Sequence, residues 1–509
     1  MALRVVFQSP NSRWYSGAGI YRNVWMICLP ETHIPLDGIY TSSVETQKGY
    51  DLTIDMELKW GTDNGNYALE YCLYYTGDSK SSAETASREI FRVKQPLDGG
   101  QEKTSVTIPV DNPRKWDITD PYLYELQVCL WRDMLRENGS AETIGNSASQ
   151  RTEQQPVRET NSRELCQEEH LRIGFRTMQF DPVRGFLLNG RKVRLNGACD
   201  HHDLGALGAA FHKEAMRRKF ELMRSMGVNA VRTSHNMPAV ELMELADEMG
   251  FLIVSEAFDM WEMAKNPYDY ARFFKEWMEK DVRSWIRRDR NHPSVIMWSI
   301  GNEVPTQCSA EGYKVASFLQ DICHREDPTR PVTCGMDQVS CVLENGFAAM
   351  IDVPGLNYRA HRYVESYNAL PQNIILGSET ASTVSSRGVY KFPVEKRAGA
   401  TYADHQSSGY DVEYCSWSNV PDEDFALADD YNWTIGQFVW TGFDYLGEPS
   451  PYDTDAWPSH SSVFGIIDLA SLPKDRYYLY RSIWNKTANT LHVLSLIHIS
   501  EPTRLLSIS

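Results

Sequence analysis

From Asn189-Gly190 onward the chain alternates short apolar segments with amphipathic ones, and this rhythm constrains the fold more than any other feature. Strand-like runs fall at 192–199, 227–232, 251–255, 294–300, 331–334, 351–356, 373–376 and 436–443. Helical periodicity occupies 213–226, 238–249, 273–290, 312–323 and 475–486. Several of the strand runs are apolar throughout rather than alternating, as strands covered on both faces require. Eight of them in about 255 residues predict a closed (β/α)8 barrel. A doubly wound sheet is the competing arrangement, and it lacks a glycine-rich phosphate loop here: Gly17-Ala18-Gly19 has neither the preceding strand nor the following helix.

Upstream the pattern is strand after strand. Segments at 50–60, 67–75, 105–110 and 123–132 are separated by turn signals such as Asp63-Asn64-Gly65 and Asp111-Asn112-Pro113. An immunoglobulin-like β-sandwich over 36–178 accounts for them, with a polar excursion near 136–165 as its longest loop and strand character returning at 170–180. Residues 1–35 carry too few strands to enclose a core of their own. The barrel is expected over 179–490, with 388–430, too long for an ordinary connection, covering its active face. The tail at 491–509, ending LIHISEPTRLLSIS, reads as partly foreign sequence.

Composition narrows the function classes. Sixty-eight acidic against 51 basic residues give a formal charge of -17, with no compensating basic block, so a nucleic-acid partner is not expected. No stretch approaches 18 apolar residues, which argues against a membrane span, and the first residues contain no apolar run fit for a signal peptide. The ten cysteines form no CxxC pair and no zinc spacing; most are expected to be reduced core thiols, in keeping with a cytoplasmic compartment.

Chemistry in such a barrel sits at the carboxyl ends of the strands. The fourth run delivers Gly301-Asn302-Glu303 and the seventh Gly377-Ser378-Glu379. Two glutamates on separate strands, facing across the mouth, make a proton donor and a nucleophile for glycosidic cleavage. Either one alone would equally serve as a helix cap or an arginine partner. Other strand ends bring Asp200-His201-His202-Asp203, Arg232 through Asn236, Glu256 with Asp259, Asn357-Tyr358, and Trp440. His202 and His235 suit sugar hydroxyls, and Trp440 suits the less polar face of a pyranose, although it also suits the barrel core. Arg232 is expected to pair with Glu256 below the site. The adjacent His201, His202 and Asp203 are poorly placed to converge on one ion, and no GxSxG elbow is present.

The segments SRWYSGAGIYR at 12–22, Gly174-Phe175-Arg176, NAVRTSHN at 229–236, Gly301-Asn302-Glu303 and GQFVWTGFDY at 436–445 together resemble glycoside hydrolase family 2, in order and spacing over nearly the whole chain. DHHDLGALG at 200–208 and Gly447-Glu448-Pro449 resemble its bacterial beta-galactosidase branch. The resemblance implies a retaining exo-glycosidase acting on terminal beta-D-galactosides, with Glu303 as acid/base and Glu379 as nucleophile. It implies Asn302 at the sugar 2-hydroxyl, His202, His235, Trp440 and Asp200 around the terminal sugar, and Tyr358 orienting the nucleophile. Arg232 and Glu256 are supporting residues. It implies that 1–35 is the end of a jelly-roll domain, that the family's flanking domains are missing at both ends, and that the intact protein is a possible homo-oligomer.

No cofactor is required by this mechanism. The Glu-x-His magnesium element of the long beta-galactosidases has no counterpart in Ser255-Glu256-Ala257-Phe258-Asp259, so no metal ligands are assigned; a magnesium or sodium ion remains possible. No convincing Asn-x-Lys element for a uronate carboxylate is found. Glucuronide or galacturonide cleavage is the alternative activity, and a non-catalytic carbohydrate-binding remnant the alternative class.

Overall fold

The computed structural model describes residues 2–62, 65–76, 88–133, 163–453 and 460–493. The expected 136–165 excursion falls almost wholly outside these, as does the tail beyond 493. The chain divides into two compact units, one of residues 25–113 and 123–174, the other of 1–24, 114–122 and 175–509.

The first unit consists of antiparallel sheets. One has three strands in the order Ile39–Glu45, Gly49–Glu57, Lys103–Asp111; the other has four, in the order Arg88–Pro96, Asn66–Tyr75, Tyr124–Asp133, Arg163–Ile173. Gly49–Glu57 shows why the sequence was readable: its even-numbered residues Tyr50, Leu52, Ile54 and Met56 are buried and their neighbours half-exposed, the period-two signature of a sheet with one wet face.

In the second unit eight parallel strands close into a barrel. In chain order they are β1 (Leu195–Asp200), β2 (Ala230–Thr233), β3 (Leu252–Glu256), β4 (Val295–Asn302), β5 (Val332–Met336), β6 (Val353–Asn357), β7 (Ile375–Thr380) and β8 (Thr434–Val439). The intervening helices are α1 (Lys213–Met226), α2 (Val240–Met249), α3 (Ala271–Asp289), α4 (Gly312–Glu326), α5 (Val339–Glu344), α6 (Tyr363–Ala369) and α7 (Pro421–Asp430), and α8 (Asp475–Trp484) closes the ring. Every residue of β4 is buried, which is why the strand opens in sequence with the apolar run Val295-Ile296-Met297-Trp298. The helices bury one stripe each: Met216, Phe220, Met223 and Met226 of α1 follow the helical repeat into the shell between helices and strands. Strand β8 ends at Val439, earlier than expected, because the chain turns at Trp440 to enter the mouth.

One feature departs from expectation. Cys308 and Cys341 form a disulfide, with Cα atoms 5.4 Å apart, between the turn after β4 and α5. Linear spacing does not disclose such a pair, because loops 33 positions apart become neighbours only when the barrel closes. The other eight cysteines are free thiols. Residues 1–24, too short for a core of their own, group with the barrel. Among the described residues no helix is long and apolar enough to cross a membrane.

Candidate active site

The floor of the site is built around one guanidinium. Arg232 projects from β2 into the barrel, fully buried. Its Nη2 lies 2.6 Å from Glu256 Oε2, and its Nη1 donates at 2.8 Å to Glu379 Oε1 and at 3.0 Å to the Ser378 carbonyl. Nη2 also donates to Asn302 Oδ1 at 2.9 Å. The two flanking carboxylates hold the guanidinium charged against the cost of burial. Gly335 of β5 makes room for this network: a Cβ there would stand 2.9 Å from atoms of Arg232, Asn302 and Asn357 alike.

Glu256 is buried too, and burial pushes its carboxyl up to about 7 against the pull of Arg232 and Ser299. It binds His235 Nδ1 at 2.7 Å, and burial beside Arg232 holds that imidazole neutral, far below its ordinary pKa. With the proton on Nδ1, Nε2 is left to accept from Asn302 Nδ2 at 3.2 Å. The ring then stacks on Trp440, centroids 5.0 Å apart and planes 5° apart. One short chain of contacts therefore fixes the orientation of His235, Asn302 and Trp440 together.

Glu379 follows Ser378 at the end of β7. Tyr358 donates to its Oε2 at 2.8 Å while Arg232 holds Oε1. Burial pushes the carboxyl up to about 8, the nearby Glu303 charge adds to the rise, and Arg232 and Tyr358 oppose it. Tyr358 is itself oriented by the Ser382 hydroxyl at 2.8 Å.

Glu303, the first residue beyond β4, adopts a left-handed backbone (φ 43°), as does Tyr358 (φ 59°). Such conformations are costly for residues with a Cβ and concentrate where function dictates geometry. Asn357 donates to Glu303 Oε1 at 3.0 Å and accepts from Ser378 at 2.6 Å, linking the ends of β4, β6 and β7. Glu303 and Glu379 line one cavity of about 290 Å³, together with His235, Tyr358 and Trp440. Arg13, Asp337, Arg359, Trp417, Glu448 and Phe464 form the rest of its wall.

Two of the expected residues lie elsewhere. On β1 the interior position is Cys199, whose sulfur reaches the Ser378 carbonyl at 3.5 Å, whereas Ala198 packs in the outer shell with the helices. The two-residue period then sends Asp200 and His202 outward and His201 inward. Asp200 pairs with Lys219 of α1 at 2.7 Å, and His202 packs against Tyr21. His201 stands 5.3 Å from Trp440, 5.5 Å from His235 and 4.8 Å from Trp14 between ring centroids. It is 4% exposed, and among the described residues neither of its ring nitrogens finds a hydrogen-bond partner. Asp200, His201 and His202 together line a separate small cavity, and of the three it is His201 whose ring lies near Trp440 and His235.

Other participants were not singled out at all. Arg13 reaches Asp259 at 3.1 Å, Glu303 at 3.7 Å and Glu448 at 3.9 Å. Lys265 binds Asp259 at 2.8 Å and the Asn302 carbonyl at 2.9 Å. Asp259, Glu256 and Glu379 each already have a cationic partner, so this donor set does not fit a divalent ion. Among the described residues no group of three or more histidine, cysteine or acidic side chains is arranged for one. Arg13 sits inside SRWYSGAGIYR, a segment that carried resemblance but no assigned role. It is brought to the mouth by a bridge between Trp14 and Gly447, with Tyr15 N donating to the Leu446 carbonyl at 2.9 Å. A side chain at Gly447 (φ 83°) would collide with Tyr15 N at 2.4 Å.

A closed parallel barrel whose fourth and seventh strands each deliver a glutamate into one cavity has the architecture of a paired-carboxylate glycosidase. The chain belongs to family 2 of the glycosyl hydrolases: the family's TIM barrel domain matches residues 183–454, and a second family 2 domain matches 32–145. It is 36% identical to a beta-galactosidase of Bacteroides ovatus over 94% of this chain and 56% of that protein. It is 29% identical to a putative beta-glucuronidase of Formosa agariphila over 94% of this chain and 43% of that one. Among solved structures, a beta-glycosidase from Bacteroides vulgatus superposes with a TM-score of 0.75 at 28% identity, over 93% of this chain and 57% of that chain. The chain thus spans about half the length of the relatives it matches.

Proposed function

We propose that this chain carries the catalytic site of a retaining beta-galactosidase. The observation that carries the reading is the shared cavity of Glu303 and Glu379, with Glu379 clamped by Arg232 and Tyr358 and Glu303 held by Asn357. Glu303 protonates the glycosidic oxygen as the Glu379 carboxylate attacks the anomeric carbon; the carbon–oxygen bond breaks, the alcohol leaves, and a glycosyl ester forms. Glu303 then takes a proton from water, which attacks the same carbon and returns Glu379 as a carboxylate. His235, oriented by Asn302, binds a hydroxyl of the terminal sugar, and Trp440 packs on its apolar face.

A neutral sugar suits the cavity better than a uronate. Four acidic side chains line it (Glu303, Asp337, Glu379 and Glu448) against two arginines, and Arg13 is already flanked by Asp259, Glu303 and Glu448. A carboxylate on the sugar would meet this acidic wall, where among the described lining residues Arg359 is the one cation without an acidic partner and its Nη1 is given to the Trp417 carbonyl; a poorly paired buried charge is disfavoured. The relative with the higher identity in the comparison above is also named a beta-galactosidase.

The test is a panel of aryl beta-glycosides: galactoside, glucuronide, galacturonide and mannoside. Galactoside is expected to turn over fastest, with Glu379→Ala reducing kcat by about 10³-fold or more and formate restoring part of it. Faster cleavage of glucuronide than of galactoside would overturn the substrate assignment.

A further inference from the structure

The cavity contains a feature that neither the acid pair nor the terminal-sugar contacts use. Trp417 lines the cavity yet remains 41% exposed, and it comes from the long 388–430 excursion rather than from a strand end. Its backbone is tied down. Arg359 Nη1 donates to the Trp417 carbonyl, and the turn it occupies is closed by Ser418 N donating to the Cys415 carbonyl at 3.0 Å. That turn is bonded to Ser382 from both sides, through Cys415 N to the Ser382 carbonyl at 3.0 Å and Ser382 N to Ser418 Oγ at 2.8 Å. The Ser382 hydroxyl binds Tyr358, and Tyr358 binds Glu379, each at 2.8 Å. An unbroken set of hydrogen bonds therefore sets the place of Trp417 relative to Glu379. Keeping a large apolar ring exposed on a fixed backbone leaves area for a ligand to cover with little ordering cost.

We propose that Trp417, with Asp337 and Arg359 beside it, forms the subsite for the leaving group, and that this group is a sugar whose apolar face stacks on the indole. This rests on the glycosidase reading above. Asp337 and Arg359 line the same cavity and supply an acceptor and donors for hydroxyls, which a bare aromatic aglycone lacks. Asp337 is positioned by the Gln307 amide at 2.8 Å, so it too is held in place before a ligand arrives. Natural substrates are then glycosides of another sugar, and the platform discriminates among leaving groups without touching the bond that breaks.

The experiment is calorimetric titration of the chain and of its Trp417→Ala and Trp417→Phe variants with two non-hydrolysable ligands. One is methyl 1-thio-beta-galactoside, which has no ring in the leaving position; the other is a sulfur-linked galactosyl-glucose. Trp417→Ala is expected to weaken the disaccharide at least about tenfold and the methyl glycoside less than about twofold, with Trp417→Phe intermediate. An equal loss on both ligands, or no loss on either, overturns the subsite. If neither ligand binds the unaltered chain, the galactoside reading fails, and the same ligand pair built on glucuronic acid then decides the role of Trp417 by the same criterion.

Discussion

The floor and the rim of the cavity are constructed on different principles. The floor, comprising Arg232, Glu256, Asn302, Asn357 and Ser378, comes from β2, β3, β4, β6 and β7; each of these residues is at most 1% exposed and each is hydrogen-bonded to others of the set. The rim residues Arg13, Asp337, Arg359, Trp417 and Glu448 lie outside the strands, and Arg13 meets Glu303 and Glu448 only at 3.7 and 3.9 Å. Dry, mutually paired charges fix the geometry of the floor; the rim keeps partly exposed side chains for a ligand to cover. The floor accordingly suits chemistry that must not vary, and the rim suits choice of substrate.

Substituting the two arginines should separate these principles most sharply. Arg232→Met leaves Glu256 and Glu379 buried without their common counter-ion, and is expected to cost about 3–5 kcal/mol of stability and nearly all turnover. Arg13→Met replaces a side chain that is 36% exposed, and should change stability by less than about 1 kcal/mol while raising KM. Denaturant unfolding and steady-state kinetics read the two effects, and comparable destabilisation by both changes would dissolve the distinction.

A smaller effect concerns proton occupancy across the cavity. Glu379 must be ionised to attack, and burial together with the Glu303 charge raises its carboxyl to about 8. Activity should therefore rise with pH through neutrality, the acid limb of kcat/KM lying well above the ordinary carboxylate range. Glu303→Gln removes one cause of that rise, so the limb should move to lower pH when measured with an activated aryl galactoside. A limb that stays in place would mean the two carboxylates do not sense one another.

The smallest expected effect lies away from both regions. Asp424 in α7 is buried and, among the described residues, accepts a side-chain hydrogen bond from Asn419 alone; burial raises its carboxyl to about 8. The folded state thus keeps a proton that the unfolded chain releases near pH 4, so this contribution is full below about pH 4 and lost as pH rises through 8. Asp424→Asn should flatten the fall in stability between pH 5 and 9, read from denaturant midpoints.

The barrel was legible because its strands are dry on both faces, which turns Val295-Ile296-Met297-Trp298 and its counterparts into apolar runs that nothing on the surface would tolerate. Glu303 and Glu379 were legible for a related reason: a carboxylate directly after such a run must emerge at the strand's open end. What lay beyond a strand's last bonded residue was harder to read. Asp200, His202 and His201 differ only in the parity of an extended chain, and parity needs an anchor such as the inward Cys199 sulfur. Contributions from other parts of the chain were not legible as contacts. The Cys308–Cys341 pair and the approach of Arg13 to Glu303 depend on loop closure that no local pattern encodes.

Arg13 precedes the first barrel strand by 182 positions, yet it supplies a positive charge to a wall of acids. The eight-stranded ring excised at residue 175 would retain both reactive glutamates but leave Glu303 and Glu448 without that neighbour. Catalytic equipment and its electrostatic complement are thus inherited on separate stretches of polypeptide, and recombination that exchanges the leading stretch would retune the pocket while every strand end stayed the same.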